Sequence, residues 1–289
     1  MLVDMIMASL NTVFTGFENE IYLAGVRVSE TPQAWQGGTV WNMISDVAFT
    51  ASSVIMVIAG LILGFFIALE LVQMLVEKNN LADIDMVAVV LKWVVKSAIA
   101  IMIVSNVDVV VGAIFQLGQE AITGTASGII GSVNLTGAGF LSDIEAQIST
   151  LSIGRLIGLL LQVQILRIIG PILGVAIMIV VLGRMTEIMM YLVVAPIPLA
   201  TMANQEYRSM GNNYLKNLLA VAFQGLLIVV VLGIMAVLIQ NWIMGVGAAP
   251  SPDVDGAEMS LWGVFGYMFL SIFALFKTSS ISKAIFGAS

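Results

Sequence analysis

The chain has 289 residues, which on length alone would suit one or two soluble domains, yet 60% of them are hydrophobic and 10% charged. A soluble domain runs at roughly 45–50% apolar and about 25% charged, and a chain of this size leaves much of itself facing solvent, so a mean hydropathy of +1.05 excludes a soluble protein and makes lipid the solvent. The net charge of −7 argues against a basic nucleic-acid-binding surface, and the absence of cysteine and histidine removes thiolate chemistry, sulfur-bound metals and the usual neutral-pH general base.

Residues 1–26 read as an amphipathic helix, with Val3, Ile6, Leu10, Val13, Phe14, Phe17 and Ile21 recurring at threes and fours. With Asp4 and no Lys or Arg before Arg27, this segment does not resemble a signal peptide. Its apolar stripe suits two placements, packed on a bundle or lying in the membrane interface. Residues 47–76 hold the first crossing. Val47–Leu69 is uncharged over 23 residues, about 34 Å of helix at ~1.5 Å per residue. Trp35 and Trp41 stand before it as interfacial anchors.

Residues 84–117 predict an interfacial lead-in bearing Lys92 and Lys96, then a crossing over 97–117 with Asp108 near mid-depth. Residues 121–154 are rich in Gly, Ser and Thr and carry Asp143 and Glu145. They predict a long extracytoplasmic loop with a short helix at 140–151, and a loop of that length points to function. A third crossing fills 155–183, with Arg167 inside it. In the hairpin 185–216, Pro196 and Pro198 lack N–H groups and disfavour helix at the residue before each. Residues 188–202 are therefore expected to be a broken or re-entrant segment. Residues 217–249 are uncharged and form the fourth crossing, 250–260 an acidic outer loop, and 261–277 the fifth crossing. The expectation is one all-α polytopic membrane domain over 1–289, with about five transmembrane helices, an N-terminal amphipathic helix and the Pro-broken segment.

Orientation follows from the cations. With the N-terminus outside, Lys78, Lys92, Lys96, Arg184, Arg208, Lys216, Lys277 and Lys283 fall inside, against Arg27 and Arg155 outside. That asymmetry is the positive-inside bias of a multi-pass protein whose C-terminus is cytoplasmic.

Four G-x-x-x-G pairs occur, at Gly60/Gly64, Gly124/Gly128, Gly154/Gly158 and Gly170/Gly174, where about two or three arise by chance in a chain this rich in glycine, so plain packing explains them. Intramembrane charge is more informative. Arg167 and Asp108 should face protein or water rather than lipid, either pairing with one another or lining an aqueous path at a subunit contact. Arg184 and Glu187, three apart on one helix face, suggest a surface pair. The run Asp253–Gly256 has Val264 where a calcium loop needs its bidentate Glu, and Asn134-Leu-Thr136 is an unspecific glycosylation pattern. There is no phosphate-binding loop, nucleophile elbow or paired-carboxylate motif, so neither an enzyme nor a cofactor or metal site is expected.

The most individual stretch is APIPLATMANQEYRSMGNNYLKNLLAVAFQGLLI, residues 195–228. Two prolines end an apolar segment, a polar turn with Asn204, Arg208, Asn212 and Asn213 follows, and Lys216 opens a long apolar helix. This pattern over roughly 184–230, with the length, the amphipathic start and the five crossings, resembles the TrbL/VirB-type polytopic subunit of conjugative type IV secretion systems, nearest to the branch from conjugative elements of Gram-positive bacteria.

The resemblance implies a channel or scaffold subunit of the bacterial cytoplasmic membrane. Such a subunit would form a homo-oligomeric, pentameric ring and contact the assembly ATPase and a bitopic scaffold protein. It would help translocate single-stranded DNA with its relaxase. Pro196, Pro198, Asn204, Arg208 and Lys216 would then dock partners, the loop with Asp143 and Glu145 would serve substrate passage, and Asp108 and Arg167 would lie at subunit contacts or the pore. The alternative from another class is a secondary transporter using the broken helix around Pro196 and Pro198, although no matching break appears in the first half of the chain.

Overall fold

A computed structural model describes residues 1–30, 40–76, 86–132, 135–246 and 261–288. The described chain is all-helical: α1 (Leu2–Ser29), α2 (Val40–Val76), α3 (Met86–Ser105), α4 (Val107–Ser132), α5 (Ala138–Ser149), α6 (Ile153–Val194), α7 (Pro196–Thr201), α8 (Arg208–Val246) and α9 (Trp262–Ile285). Five helices among the described residues are long and apolar enough to cross a membrane, at Asp46–Val76, Val87–Ser105, Ile153–Val194, Arg208–Asn241 and Trp262–Ile285. The chain is an all-α polytopic membrane protein. The side chains of Trp35 and Trp41, Lys78, Asn134 and the acidic segment 250–260 lie outside the described residues.

Several boundaries differ from the sequence expectation. The second candidate span is Val87–Ser105 rather than 97–117. Asn106 interrupts the helix there, and Asp108 falls in the first turn of α4, where a carboxylate complements the partial positive charge of a helix N-terminus. The segment 121–154 is helical over much of its length, since α4 runs on to Ser132 and α5 occupies 138–149. Gly183 ends nothing. α6 passes through it, and through Pro171, as one helix of 42 residues, roughly 63 Å long at ~1.5 Å per residue. That is about twice the ~30 Å hydrocarbon thickness, so α6 extends past the core or tilts within it. Residues 188–194 are its last two turns, and the break falls at Ala195.

The chain falls into two compact units, residues 1–29, 120–183 and 225–278 in the first and residues 30–119, 184–224 and 279–289 in the second. In the first unit, α1 packs on α5 and α6. The stripe read from the sequence is the buried face: Ile6, Leu10, Phe14, Phe17 and Ile21 are all at most 3% exposed. Phe14 meets Phe140 of α5 at 5.9 Å between ring centroids, and Ile144 and Ile148 are buried beside it. Of the four G-x-x-x-G pairs, Gly170/Gly174 on α6 is the one that seats another helix. A Cβ at Gly170 would lie 3.6 Å from the Phe17 ring, and one at Gly174 would lie 3.2 Å from Glu20. The other three pairs have open space where a Cβ would go. α1 is therefore a packed helix. Its Glu18 carboxylate also accepts the Leu135 N–H at 2.5 Å, the Thr136 N–H at 3.0 Å and the Thr136 hydroxyl at 2.5 Å, which fixes the entry to α5.

In the second unit, α2 packs against α3 and α7, and α3 also packs against α7. α4 approaches α8 closely enough that a Cβ at Gly118 would stand 2.9 Å from the Ala222 carbonyl oxygen. Arg184, 4% exposed, turns inward and donates from Nε to Val221 O at 3.1 Å and from Nη2 to Ala222 O at 3.2 Å. Glu187 accepts from Lys283 of α9 at 2.9 Å, and the Arg184 expected at the surface beside it is buried.

Candidate functional site

The connector between α6 and α8 is built by its prolines. Pro196, at the first position of α7, has no N–H to continue the α6 ladder but starts a new helix at no cost, since that N–H would be orphaned anyway. The Leu199 N–H still reaches Ala195 O at 3.3 Å. α7 is six residues long, about 9 Å, too short to re-enter a membrane, so the segment is a Pro-broken corner. The corner is closed by Gly211, where a Cβ would sit 2.8 Å from Pro198 O. Tyr214 adds a hydrogen bond from its hydroxyl to Tyr191 O at 3.0 Å. α8 starts at Arg208, eight residues before Lys216.

This corner carries Asn204 into a polar cluster inside the second unit. Asn204 is fully buried, and Glu70 of α2 is 3% exposed. Glu70 accepts from Lys96 Nζ of α3 at 2.5 Å. Its other oxygen accepts from Asn204 Nδ2 at 3.2 Å and from the Gln205 N–H at 2.9 Å. Asn204 Nδ2 also donates to Gln73 Oε1 at 2.7 Å, while its Oδ1 accepts the Glu206 N–H at 3.0 Å. One level away, Trp93 Nε1 donates to Ile67 O at 2.9 Å, again tying α3 to α2.

A carboxylate at this depth is tolerable because a cation and two neutral donors satisfy it. The cluster opens on a cleft of about 440 Å³ whose polar end is Glu70, Lys96, Gln205 and Arg208 and whose walls include Ile99, Ile103, Leu199 and Met202.

Of the residues singled out from the sequence, Asn204 and Arg208 meet here. Pro196 is buried and Pro198 partly so, both acting on the backbone, while Lys216 is exposed on α8. Asp143 and Glu145 are exposed on α5, opposite its buried Ile144 and Ile148. Arg167 is exposed on α6, donating to Gln164 Oε1 at 3.5 Å. It lines a second cleft, of about 340 Å³, with Phe17 and Glu20 of α1. Asp108 is likewise exposed. Among the described residues the ion pairs are Met1 amino–Asp4, Lys96–Glu70 and Lys283–Glu187, and neither Asp108 nor Arg167 belongs to one.

Glu70 and Gln73 were missed, and Lys96 served only to set orientation. The available signal was Glu70 itself, an acid directly after 23 uncharged residues, which needs a partner when it lies within a spanning helix. Among the described residues no group of three or more acidic side chains is arranged to hold a metal ion.

The model of the TrbL/VirB6 plasmid conjugal transfer like protein family matches residues 18–196. The chain belongs to this family. A TrbL/VirB6-like protein is a conjugal transfer component that takes part in a type IV secretion complex with other subunits. The match covers α2 to α6, including Glu70 and Lys96, and ends at Pro196, just where the connector begins. Neither the curated proteins nor the solved structures contain a match.

Proposed function

We propose that this TrbL/VirB6-like protein is a channel or scaffold subunit that oligomerises in the cytoplasmic membrane and helps pass single-stranded DNA with its relaxase. The observation that carries the reading is Arg167. It stands exposed partway along a candidate spanning helix, near the exposed Ile165 and Ile168. A guanidinium at that depth costs at least ~2.5 kcal/mol in lipid. A neighbouring subunit or a water-filled path relieves that cost, and a channel ring supplies both. Glu20, in the same cleft, offers an acid of opposite sign to a neighbour's Arg167.

In this reading the N-terminus is outside and the C-terminus cytoplasmic. The corner at 195–216 then faces the assembly ATPase and the bitopic scaffold protein, and α5, with Asp143 and Glu145, stands on the outer side along the substrate path. An odd number of candidate spans, five, supports this orientation, as does the excess of Lys and Arg assigned to the inside.

The test is the particle mass in nanodiscs, by native mass spectrometry, together with mating efficiency. A closed ring of several copies, five by the family resemblance, is expected, as is loss of DNA transfer in Arg167→Leu or on deletion of residues 138–149 with membrane insertion preserved. A stable monomer with full transfer in both variants overturns the proposal. A monomer whose melting temperature rises with a small solute points instead to a transporter.

A further inference from the structure

We infer that the cleft beside Glu70 and Lys96 is a binding site for the phosphodiester headgroup of a monoanionic phospholipid, with an acyl chain running along α3. The inference needs the membrane spans and not the channel role.

Charge is the first argument. Glu70 has its carboxylate shared among Lys96, Asn204 and the Gln205 N–H. An ammonium has three donors, and the Lys96 side chain remains 37% exposed after giving one to Glu70. Arg208 lines the same cleft, is exposed, and makes no side-chain hydrogen bond or ion pair among the described residues. Among the residues that line the cleft, one acid and two bases leave a single positive charge, which one phosphodiester neutralises. The spare Lys96 donors and the forked Arg208 guanidinium are suited to phosphate oxygens.

Shape and position exclude a soluble anion. Ile99, Ala100 and Ile103 line the cleft at the three-and-four spacing that follows Lys96 on one face of α3. Lys96 to Ile103 spans about 10 Å of helix axis at ~1.5 Å per residue. Met202 and Leu199 of the Pro-broken corner form the opposite wall. α3 is a candidate span with Ile99 51% exposed, so the apolar wall continues onto a lipid-facing surface. The polar end includes Gln205 of the connector and Arg208 at the start of α8, where a headgroup would sit. A volume of about 440 Å³ is that of an ordinary small-ligand site. Water-soluble phosphate has no use for the apolar wall, and a zwitterionic lipid brings its own cation to an end that already carries one in excess.

The test uses the full chain, stripped of lipid in neutral detergent and titrated separately with phosphatidylglycerol, phosphatidylcholine and inorganic phosphate, with bound lipid per protomer read by native mass spectrometry. One phosphatidylglycerol per protomer is expected, binding about tenfold or more weaker in Arg208→Gln. The exposed Arg208 makes that variant one that folds. Ile103→Trp, which fills the apolar end, is expected to weaken binding similarly, and Lys277→Gln, an exposed cation elsewhere, to change nothing. Equal binding of phosphatidylcholine, equal loss in Lys277→Gln and Arg208→Gln, or displacement of the lipid by millimolar phosphate would each overturn the inference.

Discussion

Removing Glu70 tests whether the polar cluster is a unit. In Glu70→Leu, Lys96 Nζ, Asn204 Nδ2 and the Gln205 N–H lose an acceptor together. Lys96 becomes a part-buried cation with no counterion among its described neighbours. Breaking a buried pair on one side costs about 3–5 kcal/mol, whereas replacing both partners by apolar residues of similar size is close to neutral. For a chain of this size each kcal/mol shifts the melting temperature by about 2 °C, so Glu70→Leu should melt roughly 6–10 °C lower. Lys96→Met alone leaves the carboxylate buried with two neutral donors and should also lose stability. The double variant Glu70→Leu/Lys96→Met should recover much of the loss, leaving Asn204 to Gln73. The assay is thermal unfolding of the full chain in nanodiscs of fixed lipid composition, followed by far-UV circular dichroism. If the double variant melts at the sum of the two single losses, Glu70 and Lys96 are not coupled and the account of the cluster is wrong.

Three further outcomes follow from the packing. Gly118→Ala should cost about 1–3 kcal/mol, because its Cβ would press on the Ala222 backbone carbonyl at 2.9 Å and backbone cannot step aside; Gly64→Ala, with open space around it, should melt like the parent chain. Gly174→Leu should displace α1 from α6 and lower the melting temperature, whereas Gly60→Leu should not; equal effects would show that Gly170/Gly174 is no more a seat than Gly60/Gly64. Glu18→Ala removes the acceptor for three donors at Leu135 and Thr136 and should raise amide hydrogen exchange over residues 135–149 while leaving α8 unchanged, which mass spectrometry of peptides can read.

Much of the architecture was legible in residue order because lipid imposes simple rules. A run such as Val47–Leu69 has no other stable environment than a membrane, and the three-and-four spacing of Ile6, Leu10, Phe14 and Phe17 marked the face of α1 that is buried. Where helices begin and end was less legible. Glycine at 183 and the polar run at 121–132 look like interruptions, yet the helix backbone continues through both, since its hydrogen bonds are satisfied internally whatever the side chains. Pro196 did stop a helix, because it removes a donor from the backbone itself.

Family membership was announced by the motif at 184–230, while the family match runs over 18–196, mostly through segments with little to distinguish them by eye. Glu70 by its position called for a partner, but which residues would meet it could not be read from order. Glu70, Lys96 and Asn204 lie far apart along the chain, and each alone looked like the edge of a span, an orientation mark or a turn residue. Composition and periodicity determined that this protein lives in a membrane, how many times it can cross, and which face of α1 is hidden. Only the tertiary structure decided which charges meet, because pairing depends on helix register and on the corner that Pro196 and Gly211 make, and neither is encoded in local spacing.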